Sequence, residues 1–265
     1  MITSHGRGMG ALEQPDDPRD YDAAGIIEQL SLPTPKEIDL SAHLPAIADQ
    51  GATQSCVGFA VATAAYMRAS IARTPNIRLP SATALYALGR AKAVASASAP
   101  LVDAGSQPRL VLEAAATWGL VADASWPFRP DTINTRPSWS ALDSGVGFEL
   151  HDYSWINSTG FSRTSDLKVA LANGYPVVIS VSVDDLIDTP PENFIIDGPK
   201  GDIRGNHMLA VIGYRDTASG TLFRFVNSWG SGWGDDGKAW LTEARMMDSS
   251  TRNIAVIRTV PGESL

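Results

Sequence analysis

A single cysteine, Cys56, stands in a chain of 265 residues. No internal disulfide can form, so the fold must hold by apolar burial and hydrogen bonding alone. The same count removes a Cys-x-x-Cys zinc site and a redox pair. Hydrophobic residues make up 44% and charged residues 19%, a folding rather than a disordered composition. The length suits one or two domains with a substantial core. Twenty-one basic residues against 29 acidic ones leave a net charge of −8. That balance argues against nucleic acid as a partner, because phosphates reward clustered basic residues. The longest apolar runs, such as Val177 to Val183, stop far short of the roughly 20 residues a membrane helix needs, so no membrane association is expected. The N-terminus MITSHGRGMGALEQPDD lacks the apolar segment of a secretory signal. The expected location is therefore cytoplasmic, or outside the cell by a route needing no such signal, or outside it with a signal already removed. Without secretion, Asn157-Ser158-Thr159 reads as a chance glycosylation match.

Composition divides the chain into three. Residues 1–37 are rich in Gly, Pro and Asp and read as an N-terminal extension outside the main core. Within it, Tyr21–Leu30 could form a short helix ended by Leu32-Pro33-Thr34-Pro35. Residues 38–145 read as a mainly helical lobe. Ser55–Arg73 places Val57, Ala60, Val61, Ala64 and Met67 at helical spacing, with Ser55 able to cap the first turn and Thr74-Pro75 to stop it. Further helices are expected at Ser81–Ser96 and at Pro108–Trp118, the second closed by Gly119. Residues 146–265 read as a β-rich lobe. Its expected strands are Gly147–Trp155, Pro176–Val183, His207–Tyr214, Leu222–Asn227, Lys238–Leu241 and Ile254–Val260, with a short helix at Asp166–Asn173. The fold class is α+β, two lobes with a cleft where they meet.

Cys56 falls at the first turn of its helix, where unpaired amides and the helix dipole favour the thiolate. The polar approach Gln50 to Ser55 is expected to deliver the sulfur to a surface. A nucleophilic thiolate needs a base, and four histidines are available. His5 lies in the extension, and His43 and His151 read as surface or loop residues. His207 differs, because it opens the apolar strand NHMLAVIGY directly after the loop Gly198 to Gly205. A third group would orient its imidazole. Asn227 follows a strand and precedes SWGSGWG, where an indole could shield an Asn–His hydrogen bond from water.

The segments DQGATQSCVGFA, NHMLAVIGY and FVNSWGSGWGDDGKAWL resemble the three signature segments of papain-like cysteine peptidases, in that family's order of Cys, His and Asn. His207 and Asn227 lie 151 and 171 residues beyond Cys56, slightly more than the family's usual interval. DAGSQPRLVLEAAATWGLVADASWPF and LKVALANGYPVVISVSV are similar to intermediate family segments, so the likeness covers about residues 38–260. The resemblance implies a papain-like two-lobe fold and hydrolysis of a peptide or protein bound between the lobes. It implies that Cys56 is the nucleophile, that His207 is its proton partner, that Asn227 orients His207 and that Trp229 covers that bond. Gln50, six residues before Cys56, would complete an oxyanion hole with the cysteine's own amide. Gly105 would hold substrate backbone. Gly205 and Ala255 would line the main specificity pocket, where small residues leave room for a bulky apolar side chain. No cofactor or metal is implied. Family members are commonly closed by an N-terminal propeptide, and the extension here is expected to cross or border the cleft and limit access.

Thr53-Gln54-Ser55-Cys56-Val57 departs from the family's usual Cys-Gly-Ser-Cys-Trp, losing a disulfide partner, which suits a bacterial-type member. Two other readings stay open: a non-catalytic member that binds peptide or protein, and a Cys-dependent amidase or acyltransferase acting outside proteins. Gly232 to Lys238 spells a phosphate-loop pattern, but Ala239 replaces its Ser or Thr and no helix follows. Gly6, Gly8 and Gly10 follow no strand and form no dinucleotide loop. The pairs Asp184-Asp185 and Asp235-Asp236 read as solvated loop charge.

Overall fold

A short helix α1 (Ala24–Gln29) and strand β1 (Glu37–Asp39) precede the first long helix, α2 (Cys56–Ile71). In this computed structural model, residues 1–15, 17, 18, 20–30, 34–150 and 152–259 are described. His151, Leu32, Pro33 and Val260, which figured in the sequence reading, lie outside them. Helix α2 is buried over most of its circumference, as its alanine-rich sequence demands. Ser55 occupies its N-cap position but does not cap it. Its hydroxyl bonds Thr53 Oγ1 at 2.6 Å instead, tying the approach loop together. Helices α3 (Ala82–Ala93) and α4 (Pro108–Trp118) pack beside α2. Ser81 caps α3 by accepting from the Ala84 amide, and α4 ends at Gly119 as expected. A one-turn helix, α5 (Trp139–Leu142), closes this lobe.

The second lobe holds β2 (Asp152–Trp155), α6 (Gly160–Ala172), β3 (Val177–Val183), α7 (Asp185–Asp188), β4 (Ile195–Ile196), β5 (Gly205–Thr217), β6 (Gly220–Val226), β7 (Lys238–Thr242), α8 (Glu243–Met247) and β8 (Thr251–Thr259). The strands run β2-β8-β3-β5-β6-β7-β4, with β1 paired to β5. All pairings are antiparallel except β4 with β7. Every residue of β3 is buried, which explains its unbroken apolar character. The architecture is the expected α+β two-lobe fold. One apolar cluster fills the β-rich lobe, and another joins α2 and α4 to the inner face of β3, β5 and β8.

Two expectations fail. The N-terminal extension is not outside the core: Met9 is buried in the β-lobe cluster and Ala11 in the α2 cluster. Asp184 is not solvated either. Its carboxylate pairs with Arg245 at 2.9 Å, both side chains being fully buried, and accepts the amides of Ile187 and Lys200. Arg245 also donates to Ser182 O at 2.7 Å, so the pair pins α7 and α8 to the end of β3. Asp184→Ala would leave a buried guanidinium uncompensated and lower unfolding stability by about 3–5 kcal/mol. Glu113→Ala, breaking a half-exposed pair with Lys92, should cost less than about 1 kcal/mol. Urea midpoints of the two variants check the contrast.

Candidate active site

Cys56 is the first residue of α2, at the helix end that faces β5. Its side chain is fully buried, which corrects the expected surface sulfur. Burial pushes the thiol up to about 12, and nearby backbone groups of Met208, Val57, Ala11 and Cys56 itself only partly oppose that rise. The helix N-terminus favours a thiolate in principle, but here desolvation wins. The Met208 contact places the sulfur beside the residue that follows His207.

His207 lies in β5 opposite Val181 of β3. Its Nε2 meets Asn227 Oδ1 at 2.7 Å, and that same oxygen accepts the Ser228 amide at 2.7 Å. A backbone N–H can only donate, so the Asn227 oxygen is the acceptor in both bonds and Nε2 must carry the ring proton. Nδ1 is left as the basic nitrogen, buried and without a hydrogen-bond partner among the described residues. The Trp229 ring covers the imidazole at 4.3 Å between centroids, and Trp233 braces Trp229 edge-on at 5.9 Å. Burial lowers the His207 pKa to about 4, with the Asn227 bond pulling weakly the other way. Burial thus favours the neutral form of both thiol and imidazole near pH 7.

Gln50 is buried between the same elements. Its Oε1 accepts from Ser228 Oγ at 2.6 Å, which turns Nε2 outward as a donor. That nitrogen donates to Thr53 O at 2.7 Å and to Gly8 O at 3.2 Å. Gly8 O also accepts Trp229 Nε1 at 3.0 Å. A carbonyl of the N-terminal segment therefore occupies the donor face of Gln50.

The segment continues through the cleft as a strap. The Gly10 and Ala11 amides reach Asn206 O at 3.1 and 3.2 Å on one wall. On the other, Ser106 donates to Gly10 O at 2.9 Å and accepts from Leu12 at 3.1 Å, a parallel pairing of Ala11 with Ser106. Glycine is required in the strap: a Cβ on Gly8 would fall 1.8 Å from Thr53 O, and one on Gly10 would fall 2.0 Å from Gln54 O. Gly105 touches the strap, with Gly10 O 2.6 Å from where its Cβ would be, but the pairing atoms belong to Ser106. Gly205 faces the Met9 sulfur, and Ala255 is buried in the cluster that contains Cys56.

Asp188 anchors the strap's start. Its buried carboxylate accepts the Ser4 amide at 3.0 Å and the Ser4 hydroxyl, and it meets His5 Nδ1 at 3.0 Å. Arg7 donates to Asp188 O at 3.3 Å. Burial raises the Asp188 carboxyl, yet the Ser4 and His5 bonds outweigh it and hold the group below the usual carboxylate range. His43 bonds Ser70 at 2.9 Å, away from the cleft. Ser106 adjoins the expected Gly105 and makes the pairing in its place, whereas Ser228 and Asp188 are additional residues of the site. Ser228 adjoins Asn227 and could have been suspected, whereas nothing local marks Asp188.

These shifts fix how stability depends on pH. Between about 4 and 6.5 the folded chain binds fewer protons at His207 than the unfolded one, so acid destabilises it. Above about 9 an unfolded thiol ionises while the buried one does not, so base also destabilises it. The two groups favour folding most from about pH 6.5 to 9. The unfolding free energy from urea titrations should fall by about 2–3 kcal/mol from pH 7.5 to 4.5, and by markedly less in a His207→Ala variant.

The sequence profile of the papain family cysteine proteases matches residues 34–257. Among solved structures, xylellain, a cysteine protease from Xylella fastidiosa, is 23% identical with a TM-score of 0.78, over 96% of this chain and 97% of that one. ProCathepsin B S9 from Trypanosoma congolense is 18% identical with a TM-score of 0.74, over 97% and 88%. Digestive procathepsin L 3 of Tenebrio molitor larval midgut is 16% identical with a TM-score of 0.68, over 96% and 76%. No curated protein sequence matches the chain.

Proposed function

Since the chain belongs to the papain family and is a cysteine-type peptidase, we propose that it is an endopeptidase working through Cys56, His207, Asn227 and Gln50, and that its N-terminal strap holds it closed. The observation that carries this reading is the Gly8 carbonyl on Gln50 Nε2, 3.2 Å away, where a developing oxyanion would need a donor.

With the strap displaced, water and substrate reach the sulfur and the desolvation that keeps it neutral falls. His207 Nδ1 takes the thiol proton, giving a thiolate–imidazolium pair. The thiolate attacks the peptide carbonyl carbon, and the oxygen's new negative charge meets Gln50 Nε2 and the Cys56 amide, one of the unpaired donors at the start of α2. Collapse of the tetrahedral species breaks the C–N bond as His207 gives its proton to the departing amine. A thioester on Cys56 remains. Water then attacks it, with Nδ1 as the base, and releases the acid and the free thiol. Asn227 holds the ring with Nε2 protonated throughout, and Trp229 keeps water off that bond.

The strap's polarity supports its role as an inhibitor rather than a substrate. Its only carbonyl on the Gln50 donor belongs to Gly8, which Trp229 also holds, while Gly10 and Ala11 are pinned to both walls. Cys56→Ala should abolish peptide hydrolysis while leaving the thermal unfolding midpoint within a few degrees. Gln50→Ala should lower kcat by about 10²–10³-fold. Unchanged hydrolysis by Cys56→Ala would refute the nucleophile assignment. Asp188→Ala, which removes the strap's anchor outside the catalytic group, should raise the full chain's initial rate on a short fluorogenic peptide by at least about tenfold, the effect of losing one buried charge-assisted hydrogen bond or more.

A further inference from the structure

The strap fills the cleft against walls that a substrate would use, so its side chains report the shape of those walls. Ala11 is the informative position. Its main chain pairs with Ser106 and reaches Asn206, and its backbone approaches the Cys56 sulfur. Its methyl group is buried in one cluster with Cys56, Val178, Met208, Ala255 and Ile257, whose side chains are at most 1% exposed. The small residues Gly205 and Ala255 suggest an open pocket when read from sequence, but the space near them is taken. Met208, the residue after His207, turns toward α2 and packs into the cluster that receives Ala11. The Met9 sulfur stands 3.3 Å from where a Gly205 Cβ would be.

We propose that the recess on the Cys56 side of the cleft selects substrates with a small side chain, alanine or glycine in size, and that Met208 sets its depth. The inference rests on the peptidase reading and adds its substrate class: peptides with a small residue at one position on the acyl side of the cleaved bond, not the bulky apolar one that Gly205 and Ala255 alone would admit. A methyl group fits the recess as it stands. A leucine or phenylalanine side chain would have to displace Met208 from a packed interior, where added volume is resisted as strongly as lost volume.

The test uses the full chain and two readouts. In the first, iodoacetamide labelling of Cys56 is followed by intact mass for Ala11→Gly, Ala11→Leu, Met208→Gly and the Ala11→Leu/Met208→Gly pair. Ala11→Leu should expel the strap and label at least about tenfold faster than the parent, and Ala11→Gly within about twofold of it. The double variant should return to slow labelling, because the glycine makes room for the leucine. Labelling of Ala11→Leu at the parent's rate, or a double variant as fast as Ala11→Leu, would overturn the proposal. Because Met208→Gly could disturb folding by itself, the second readout avoids it. The Ala11→Leu chain, with and without Met208→Ala, is given peptides varied at each of the three positions before the scissile bond. At one of these positions Ala and Gly should exceed Leu and Phe by at least about tenfold, and Met208→Ala should relax that position alone. Equal cleavage of bulky and small peptides would sink the recess while leaving the peptidase intact. Absence of all cleavage would sink the peptidase reading, and the labelling series would still decide the recess.

Discussion

The start of α2 lies against β5, and the chemistry of the cleft depends on that contact. In the proposed mechanism neither lobe holds a complete site: the helix supplies the sulfur and its first-turn amide, and the sheet supplies the imidazole with the Asn227 side chain that orients it. The Asn227 oxygen settles the imidazole's state by accepting from both the Ser228 amide and His207 Nε2. Ser228 also turns the Gln50 amide outward. One short turn after β6 thereby orients both the His207 ring and the Gln50 amide, the proposed base and oxyanion donor, and Trp229 and Trp233 cover it.

Burial reverses the usual tendency of this arrangement. A thiol at a helix N-terminus should ionise readily, yet here both Cys56 and His207 are fully buried, away from the water that would stabilise either charge. Cys56 is driven up and His207 down, and His207 Nδ1 has no hydrogen-bond partner among the described residues, so neither group is charged near pH 7. On the proposed reading, this desolvation silences the site without distorting it and reverses when the strap leaves. The strap is held at three places: Asp188 at its start, the Gln50 and Trp229 donors at Gly8, and the Ser106 and Asn206 main chains at residues 10–12.

Cys56, His207, Asn227 and Gln50 stand out in the sequence because each lies in a short motif, and the structure gathers His207, Asn227 and Gln50 around the Asn227–Ser228 turn. Long helices and the central strands were legible for the same local reason: α4 runs Pro108–Trp118 as its capping pattern requires. What the sequence hides is long-range. Gly8 and Gly10 look like loop filler until Thr53 O and Gln54 O are seen to leave no space for a Cβ. Asp184 looks solvated because its partner Arg245 is 61 residues away. Gly105 was named where Ser106 does the pairing, since that register is set by a segment almost a hundred residues earlier in the chain. Strands β1 and β4 and helices α5, α7 and α8 are too short to carry periodicity.

The most direct test of an assembled but strap-silenced Cys–His site is intact-mass analysis of the full chain, its Gly10→Ala variant and a Gly10→Ala/His207→Ala variant, each exposed to an epoxysuccinyl peptide at pH 7.5. One adduct on Cys56 should form slowly in the parent and much faster once the strap's glycine is replaced, and that gain should be lost when His207 is also removed. Equally fast labelling of the parent would show that the strap does not close the site. No adduct in the Gly10→Ala chain would show that Cys56 and His207 do not act together.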